Sequence, residues 1–272
     1  MVTYLDRIVE WHRAAAADDT RDLAQLAARA AKARSVDGAR DFAGALVAGR
    51  ASGRAHGGEP IALIAEIKRR SPSKGELAPD LDPAEVAADY EAGGASCLSV
   101  LTDVPHFGGS PEDLTVARGA ASLPVLRKDF TVAESDVYDA LLMGADAVLL
   151  IVAALEPGEL CAFHDLATAL GMAALVEVHD EAELELALEA GAGIIGVNQR
   201  DLHTFAVDRD RAVRVARHVP VDVVKVAESG IETPEDVAAL VAAGFDAVLV
   251  GETLVRSADR AGATRALLGR AA

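Results

Sequence analysis

From residue 61 onward, short apolar runs alternate with amphipathic segments along the chain. Runs rich in Val, Ile, Leu and Ala are typical of parallel strands buried on both faces, and apolar residues spaced three and four apart predict helices. The predicted strands are Ile61–Ile67, Ser96–Leu101, Val125–Lys128, Ala147–Val152, Ala173–Val178, Ile194–Val197, Val223–Ala227 and Ala247–Val250. The predicted helices are Pro83–Ala92, Pro111–Ala121, Ala133–Met143, Pro157–Leu170, Glu181–Ala190, Arg209–His218, Pro234–Ala243 and a closing helix, Asp259–Leu268.

A repeat of about fifty residues organises this alternation. Gly93, Gly144, Gly191 and Gly244 each follow a predicted helix and precede a strand, at spacings of 51, 47 and 53 residues. Each repeat holds two βα units, so four copies predict the eight units of a (β/α)8 barrel, an α/β fold. A doubly wound open sheet is the alternative, but it usually has a glycine-rich phosphate turn after its first strand, where this chain has Arg70-Ser-Pro-Ser-Lys.

The first fifty residues have no predicted strand. Ala-rich helical periodicity runs from Leu5 to Ala17, continues to Ala33, and returns from Ala39 to Val47, after which the stretch Ser52–Gly58 interrupts it. We therefore expect residues 1–59 to form a helical extension packed on a barrel of residues 60–272, rather than an independent domain.

Composition and charge limit the class of protein. The chain is 51% hydrophobic but only 4% aromatic, so a large core must consist of aliphatic side chains. The formal net charge of −17 argues against nucleic acid or an anionic membrane as a partner. Neither a membrane span nor a secretory signal is evident, and Cys97 and Cys161 suggest neither a disulfide framework nor a metal site, so we expect a cytoplasmic protein.

The first predicted strand ends in two opposite charges. Glu66 and Lys68 are two residues apart, so their side chains lie on the same face. Charges on a buried strand are costly unless they are paired or used in chemistry. The two residues are therefore either a structural ion pair that closes the core or an acid/base pair at the opening of a site.

Polar residues stand at the ends of seven of the eight predicted strands, where catalytic groups lie in a barrel of this kind. Only the fourth strand lacks one. In chain order they are Glu66 and Lys68; Ser99, Thr102 and Asp103; Lys128 and Asp129; Glu177 and His179; Asn198 and Arg200; Glu228, Ser229 and Gly230; and Gly251, Glu252 and Thr253. So many polar groups at one rim predict a functional site.

The loops after the last two strands predict an anion site. Ser229-Gly230 and Gly251 with Thr253 lie where backbone N–H groups and a short helix bind phosphate in barrels. The alternative is that the glycines only permit tight turns. Ser71, after the first strand, is either a further hydroxyl for the same anion or an ordinary turn residue.

The carboxylates and amines of the rim suit acid and base catalysis. Burial raises the pKa of a carboxylate and a nearby ammonium lowers it, so one site can hold groups with well-separated pKa values. The set comprises Glu66, Glu177, Glu228, Lys68 and Lys128. The alternative is a structural ion-pair network. Asn198 suits a substrate hydroxyl, and Arg200 is either a clamp for a carboxylate or a surface arginine.

Other polar or aromatic residues are assigned no catalytic role. His106 and His203 are expected in loops, and His179 is expected to support a neighbouring residue. Lys225 is too near the start of its strand for a Schiff-base lysine. Trp11 is expected to be a packing residue, and no His, Cys and Asp spacing predicts a metal site.

Six motifs along the chain together resemble a known family. They are Ala-Glu66-Ile-Lys68-Arg-Arg-Ser71-Pro-Ser73, Leu-Arg-Lys128-Asp-Phe130, Val-Glu177-Val-His, Val-Asn198-Gln-Arg200-Asp-Leu, Ala-Glu228-Ser229-Gly230-Ile and Val-Gly251-Glu-Thr253-Leu. In this order, from about residue 60 to the C-terminus, they strongly resemble the indole-3-glycerol phosphate synthases of tryptophan biosynthesis. The helical extension is similar to the N-terminal extension of that family, so the resemblance implies a TIM barrel with such an extension.

The resemblance implies a carboxy-lyase that uses no cofactor and no metal. It would close and dehydrate 1-(2-carboxyphenylamino)-1-deoxyribulose 5-phosphate to indole-3-glycerol phosphate, carbon dioxide and water. Lys128 would be the general acid, Glu177 the acid/base of the dehydration, and Glu66 and Lys68 would position the substrate, with Lys68 sharing in proton transfer. The other implied residues are Asn198, Arg200, Glu228 and Ser229 in a polar wall, Phe130 in an aromatic pocket, and Ser71, Gly230, Gly251 and Thr253 at the phosphate. The expected partner is a small phosphorylated substrate, bound by a monomer or a weak homo-oligomer.

Two residues depart from the family pattern. Gln199 stands where Asn or a small residue is expected, and Thr253 replaces a commoner Ser. Both keep the amide or hydroxyl chemistry. The loop Arg69–Pro79, with Gly75, is expected to act as a lid over the site.

Two other functions compete with this interpretation. Another phosphosugar barrel, such as phosphoribosylanthranilate isomerase, would need a Cys and Asp pair at the rim, whereas Cys97 is expected inside the second strand. A catalytically silent barrel that serves as a partner subunit is opposed by the presence of Lys68, Lys128 and Glu177.

Overall fold

The computed structural model describes residues 3–55, 59–72, 74–201 and 206–270. Its centre is a closed barrel of parallel strands, each hydrogen-bonded to the next in chain order, with the last pairing with the first. The strands are β1 Ala62–Ile67, β2 Cys97–Leu101, β3 Val125–Lys128, β4 Ala147–Ile151, β5 Ala173–Val178, β6 Ile194–Asn198, β7 Val224–Glu228 and β8 Ala247–Val250. The pairs Ala62–Ala247 and Ala65–Val250 close the barrel. The predicted barrel is confirmed, and the open sheet is excluded.

Helices surround the barrel and precede it. Before the barrel lie α1 Tyr4–Ala17, α2 Leu23–Asp37 and α3 Phe42–Ala55. The others are α4 Pro83–Gly93, α5 Val104–Phe107, α6 Pro111–Ala120, α7 Glu134–Leu142, α8 Pro157–Ala169, α9 Glu181–Glu189, α10 Arg209–Ala216, α11 Pro234–Ala242, α12 Glu252–Val255 and α13 Arg260–Leu267. In the part of the chain that the structure describes, no helix is long and apolar enough to cross a membrane.

Four short elements in the described part of the chain were not predicted from the sequence. They are the helices α5 and α12, a 3₁₀ helix at Val152–Ala154, and a small hairpin that pairs Arg70–Ser71 with Gly75–Glu76. Each is shorter than the window over which hydrophobic periodicity can be recognised. The hairpin lies within the predicted lid loop, of which Ser73 is outside the described residues.

Alternation along the strands produces two hydrophobic layers and one polar rim. On β1, Leu63 and Ala65 face outward and pack with the surrounding helices, whereas Ala62 and Ile64 face the barrel interior. Continuing the inward series by two residues places Glu66 at the C-terminal end of the barrel. The same parity places the polar residues of the other strands inward at that end.

The helical extension wraps the barrel from end to end. Phe42 and Leu46 of α3 are buried among the inward-facing residues at the N-terminal ends of the strands, so they plug the barrel. Helix α2 packs against α7 on the side. Helix α1 lies across the opposite rim, where its Leu5 and Ile8 are buried.

The predicted interruption of the third helix is wrong. The stretch Ser52–Gly58 was expected to break the helical pattern, but α3 continues to Ala55; residues 56–58 lie outside the described residues. A Cβ on Gly53 would lie 1.9 Å from the carbonyl oxygen of Glu59. The glycine therefore permits close contact between the helix and the following chain, a reason that the sequence pattern cannot reveal.

Candidate active site

The predicted site residues all line one cavity at the C-terminal end of the barrel. The cavity has a volume of about 950 Å³. The predicted residues that line it are Glu66, Lys68, Ser71, Lys128, Phe130, Glu177, Asn198, Arg200, Glu228, Ser229, Gly230, Gly251 and Thr253. Tyr4, Leu5 and Ile8 of α1 add an apolar wall. The extension therefore contributes to the cavity as well as to packing.

Lys128 is the central cation of this cavity. Its Nζ lies 2.9 Å from Oε2 of Glu177 and 3.3 Å from Oε2 of Glu228. Burial alone would lower the pKa of Lys128, but the negative charges of Glu177, Glu228 and Glu66 outweigh it and raise the pKa above its ordinary value. Lys128 is therefore held as an ammonium group with hydrogen-bond donors at the rim.

Glu177 is fixed from several sides. Its Oε1 accepts a hydrogen bond from Nδ2 of Asn198 at 3.0 Å and lies 3.7 Å from Nε2 of His179. Burial opposes ionisation, yet Lys128, His179 and Asn198 together lower the pKa of Glu177. The side-chain oxygen of Asn198 accepts the backbone N–H of Arg200 at 3.0 Å, which sets the amide orientation. Glu177 is consequently held as an ionised carboxylate in a fixed orientation.

Glu228 has the opposite character. Burial raises its pKa, and although Lys128 pulls the pKa down, the neighbouring charges of Glu177 and Glu66 add to the rise. Its Oε1 is buried and makes no hydrogen bond within the described residues. Two carboxyl groups that share one lysine thus have pKa values pushed apart, an arrangement suited to acid and base steps in one site.

The charges at the end of β1 are paired. Lys68 Nζ donates to Oε2 of Glu66, and both side chains line the cavity. A Cβ on Gly251 would lie 2.2 Å from that same Oε2, so glycine is needed at the end of β8 to make room for the carboxylate. The two interpretations of Glu66 and Lys68 are compatible, because the ion pair faces the cavity.

The loops after β7 and β8 form a compact polar seat. Ser229 and Gly230 both have positive φ, at 68° and 69°. Such a conformation is strained for serine and is typical of functional sites. Gln199, one of the departures from the family pattern, donates its amide to the Ser229 carbonyl at 2.7 Å. The Thr253 hydroxyl donates to the Ile231 carbonyl at 3.2 Å, so its proton ties the two loops together.

Cations near this seat were missed in the sequence. Lys74, Arg209 and Arg256 also line the cavity. Lys74 Nζ lies 3.8 Å from Oε1 of Glu252, and Arg256 Nη1 lies 3.6 Å from the same oxygen. Because Lys74 lies in the loop that is predicted to be a lid, the sequence could have indicated that it lies near the cavity. Arg209 and Arg256 lie farther along the chain from the ends of β6 and β8 than the predicted rim residues do, so their position after a strand could not identify them.

Side chains that the sequence analysis set aside meet beside the cavity. His106 lies in α5 rather than a loop, and the ring of Trp11, which is 46% exposed, contacts those of His12 and His106 at centroid distances of 4.9 and 5.7 Å. His12, Asp103 and His106 place possible metal-ligating atoms within 4.8 Å of one another. No local spacing along the chain predicts this cluster, because His12 and Asp103 are 91 positions apart.

Comparisons with known proteins agree on one family. The family model described as indole-3-glycerol phosphate synthase matches residues 5–267. An indole-3-glycerol phosphate synthase of Chloroherpeton thalassium is 48% identical over 256 residues, covering 94% of this chain and 96% of that protein. Indole-3-glycerol phosphate synthase 2 of Streptomyces coelicolor is 53% identical over 231 residues, covering 85% and 86%.

Solved structures of more distant proteins share the fold. Thiamine phosphate pyrophosphorylase from Pyrococcus furiosus aligns with a TM-score of 0.58 at 18% identity, covering 76% of this chain and 93% of that one. N-acetylmannosamine-6-phosphate 2-epimerase from Clostridium perfringens gives a TM-score of 0.56 at 16% identity, covering 72% and 88%. At such identities the likeness concerns the barrel alone.

Proposed function

The chain belongs to the indole-3-glycerol phosphate synthase family of tryptophan biosynthesis, and we propose that the rim residues described above carry out its ring closure. The substrate is 1-(2-carboxyphenylamino)-1-deoxyribulose 5-phosphate, and the products are indole-3-glycerol phosphate, carbon dioxide and water. The observation that carries the assignment of roles is the Lys128 ammonium group held between Glu177 and Glu228 at one end of the barrel.

Lys128 is the general acid of the ring closure. When an aromatic carbon attacks the ketone, negative charge develops on the carbonyl oxygen, and a positioned donor stabilises it and delivers a proton. The raised pKa of Lys128 keeps its proton in place until a more basic alkoxide forms. When the carboxyl group leaves as carbon dioxide, the electron pair of the broken bond stays in the ring and replaces the pair used to form the new carbon–carbon bond. Lys68, paired with Glu66, orients the substrate carboxylate and shares in proton transfer.

Glu177 serves the dehydration half of the reaction. Loss of water requires removal of one proton and protonation of the departing hydroxyl group. The lowered pKa keeps Glu177 ionised, so its carboxylate can take up the proton that is removed and return it to the departing hydroxyl group, while the amide of Asn198 holds it in place. Glu228, with its raised pKa, and Ser229 complete the polar wall, while Arg200 binds the substrate carboxylate and Phe130 contacts the aromatic ring.

The substrate phosphate binds between the loops after β7 and β8. Ser71, Gly230, Gly251 and Thr253 surround this part of the cavity. Leu254 makes the first hydrogen bond of α12, to the Gly251 carbonyl, so the amides before it precede the helical hydrogen bonds and can face an anion. Because the Thr253 hydroxyl donates to Ile231, we assign its contribution to the backbone N–H.

Substitution of Lys128 tests this assignment. Lys128→Ala is expected to lower kcat by at least about 10²-fold, the low end for loss of a general acid, with the fold retained. The assay is the fluorescence of the indole product, run with and without chelator. Lys225→Ala is the matched control, since Lys225 lies on β7 but does not line the cavity. A rate near that of the wild type in the Lys128 variant would refute its role.

Cys97 is not placed to act as the rim cysteine that the phosphoribosylanthranilate isomerase alternative would need. Cys97 is buried in the barrel interior, and its Sγ donates to the Phe42 carbonyl at 3.8 Å. Since α3 plugs the N-terminal end of the barrel, this thiol lies at the opposite end from the cavity. Burial also raises the pKa of Cys97, so the thiol is a poor acid or base there.

Three further proposals concern organisation. We propose that residues 1–59 do not fold apart from the barrel of residues 60–272, because separation would expose Phe42 and Leu46 to water. The described part of the chain has no helix that crosses a membrane, and we place the enzyme in the cytoplasm. We expect a monomer or a weak homo-oligomer, which analytical ultracentrifugation would test.

A further inference from the structure

Two histidines and one aspartate converge beside the cavity. Nε2 of His12 and Nδ1 of His106 each lie 2.9 Å from the same oxygen, Oδ2 of Asp103. The three ligand atoms lie within 4.8 Å of one another. The Asp103 side chain is fully buried, and those of His12 and His106 are only 12% and 19% exposed. The cluster is therefore enclosed while remaining reachable from solvent.

Asp103 is oriented as a metal-binding carboxylate would be. Its Oδ1 accepts the backbone N–H groups of His106 at 2.6 Å and Phe107 at 3.3 Å, which directs Oδ2 at the two imidazole rings. Hydrogen bonds to the second oxygen of a carboxylate ligand fix its geometry.

A second carboxylate lies near the same point. Oδ1 of Asp129 is 3.8 Å from Nε2 of His12. Oδ2 of Asp129 accepts a hydrogen bond from Arg127 at 2.9 Å, and Oδ1 accepts the backbone N–H of Phe130 at 2.9 Å. The cluster thus offers two imidazole rings and one buried carboxylate as ligands. A small movement of Asp129 would bring its Oδ1 close enough to be a fourth.

We propose that His12, Asp103 and His106 bind one divalent cation of the Zn²⁺ or Co²⁺ class. Imidazole and carboxylate are the ligands that these ions share, at about 2.0–2.2 Å. Tetrahedral ligands at that distance lie about 3.3 Å apart, so each ring nitrogen, now 2.9 Å from Oδ2, would move away from it by a few tenths of an ångström, and the two nitrogens, within 4.8 Å of each other, would adjust to the same spacing. The ion would lie between Oδ2 and the two ring nitrogens, and each ring would bind it as a neutral imidazole with its proton on the other nitrogen.

Such an ion would connect the extension to the rim. His12 lies on α1, whereas Asp103 and His106 follow β2, and the ring of Phe130 in the cavity wall lies 5.3 Å from that of His12. Binding would therefore hold α1 over the cavity. The proposal is independent of the catalytic roles assigned above, since none of the three ligands takes part in them.

The test is a titration of metal-free, full-length protein with Co²⁺ alone, followed by its visible absorption. We expect saturation at one equivalent per chain with the spectrum of a four- or five-coordinate site. His12→Gln and His106→Gln should each weaken binding by at least about 10-fold. His164→Gln is the matched control, because His164 is similarly enclosed, at 14% exposure, but lies on α8 away from the cluster. Its binding should equal that of the wild type.

Two further measurements use the wild-type chain and do not depend on the variants folding. Zn²⁺ at a hundredfold excess over its Kd should raise Tm by roughly 5 °C. It should also slow amide hydrogen exchange in α1, and not in α8. Because a net charge of −17 attracts cations generally, weak multi-site binding that the His12 and His106 variants leave unchanged would overturn the proposal. Absence of saturable Co²⁺ absorption would do so as well.

Discussion

Replacing Gly196 with alanine tests whether the position of Glu228 sets the reaction rate. Gly196 lies on β6, and a Cβ added there would be 2.1 Å from Oε1 of Glu228 and 3.3 Å from Cδ1 of Leu175. The φ angle of Gly196 is not positive, so alanine is compatible with the backbone. The main perturbation is therefore a clash with one carboxylate oxygen.

The size of the effect follows from that distance. A carbon and an oxygen atom in ordinary contact are about 3.3 Å apart, so Glu228 must retreat by about 1 Å. Its Oε2 lies 3.3 Å from Nζ of Lys128, and this contact must change with it. A displacement of 1 Å within a catalytic group is enough to cost about 10²-fold in rate, or about 2.7 kcal/mol in the barrier. We expect Gly196→Ala to lower kcat/KM by about that factor.

The assay is indole product fluorescence, with thermal unfolding measured in parallel. Gly193→Ala is the control, because a Cβ at Gly193, just before β6, has no heavy atom within 4 Å. That variant should keep both its activity and its Tm. If Gly196→Ala has kcat/KM within a factor of three or so of the control, the carboxylate position does not limit the rate and the reasoning fails.

Three further substitutions probe stability and strain. Arg118→Met should cost about 3 kcal/mol in urea unfolding, because it leaves the fully buried Asp146 carboxylate without its cation. Burial and Glu177 raise the pKa of Glu228 despite Lys128, so this residue contributes stability that is present below the ordinary carboxyl pKa and is lost as pH rises towards the raised value. Glu228→Gln should flatten that decline in a pH series of unfolding curves. Ser229→Gly should leave stability unchanged or raise it by up to about 1 kcal/mol, since φ is 68°, while lowering kcat/KM.

Each of these expectations has a result that contradicts it. An Arg118 variant as stable as the wild type would mean that the backbone N–H groups of Arg40 and Val125 suffice for Asp146. An unchanged pH slope in Glu228→Gln would show that another group titrates in that range. A marked loss of stability in Ser229→Gly would show that the serine side chain supports the loop.

Both the strands and the rim residues could be predicted, because the same pattern of apolar and polar positions identifies them. An apolar run whose last inward position is polar, such as the one ending at Glu66 or Glu177, identifies a buried strand and also the end that carries chemistry. Parity along β7 likewise places Glu228 inward and Ala227 outward. Local pattern was sufficient here because a barrel repeats the same environment at every strand.

Contacts between distant segments could not be predicted in this way. Gly53 resembles a helix breaker, yet it lies inside α3, where the absence of a side chain allows the Glu59 carbonyl to approach. His12 and Asp103 are hydrogen-bonded although 91 positions separate them. Lys74 reaches Glu252 through a loop conformation that residue propensities do not specify. In each case the contact depends on tertiary packing, so the pattern of neighbouring residues in the sequence could not predict it.

A protein with an acidic net charge can bind an anionic substrate because the electrostatic effect of distant charges is screened by salt. At physiological ionic strength, charges more than about 8 Å away are largely screened, so the surface carboxylates weigh little inside the cavity. The proposed phosphate site lies in the same cavity as Lys74 and Arg256, which share Glu252, and Arg209, which is paired with Asp236 at 2.6 Å. We therefore expect the substrate phosphate to exchange with the carboxylates already bound to these cations, which does not require a positively charged protein.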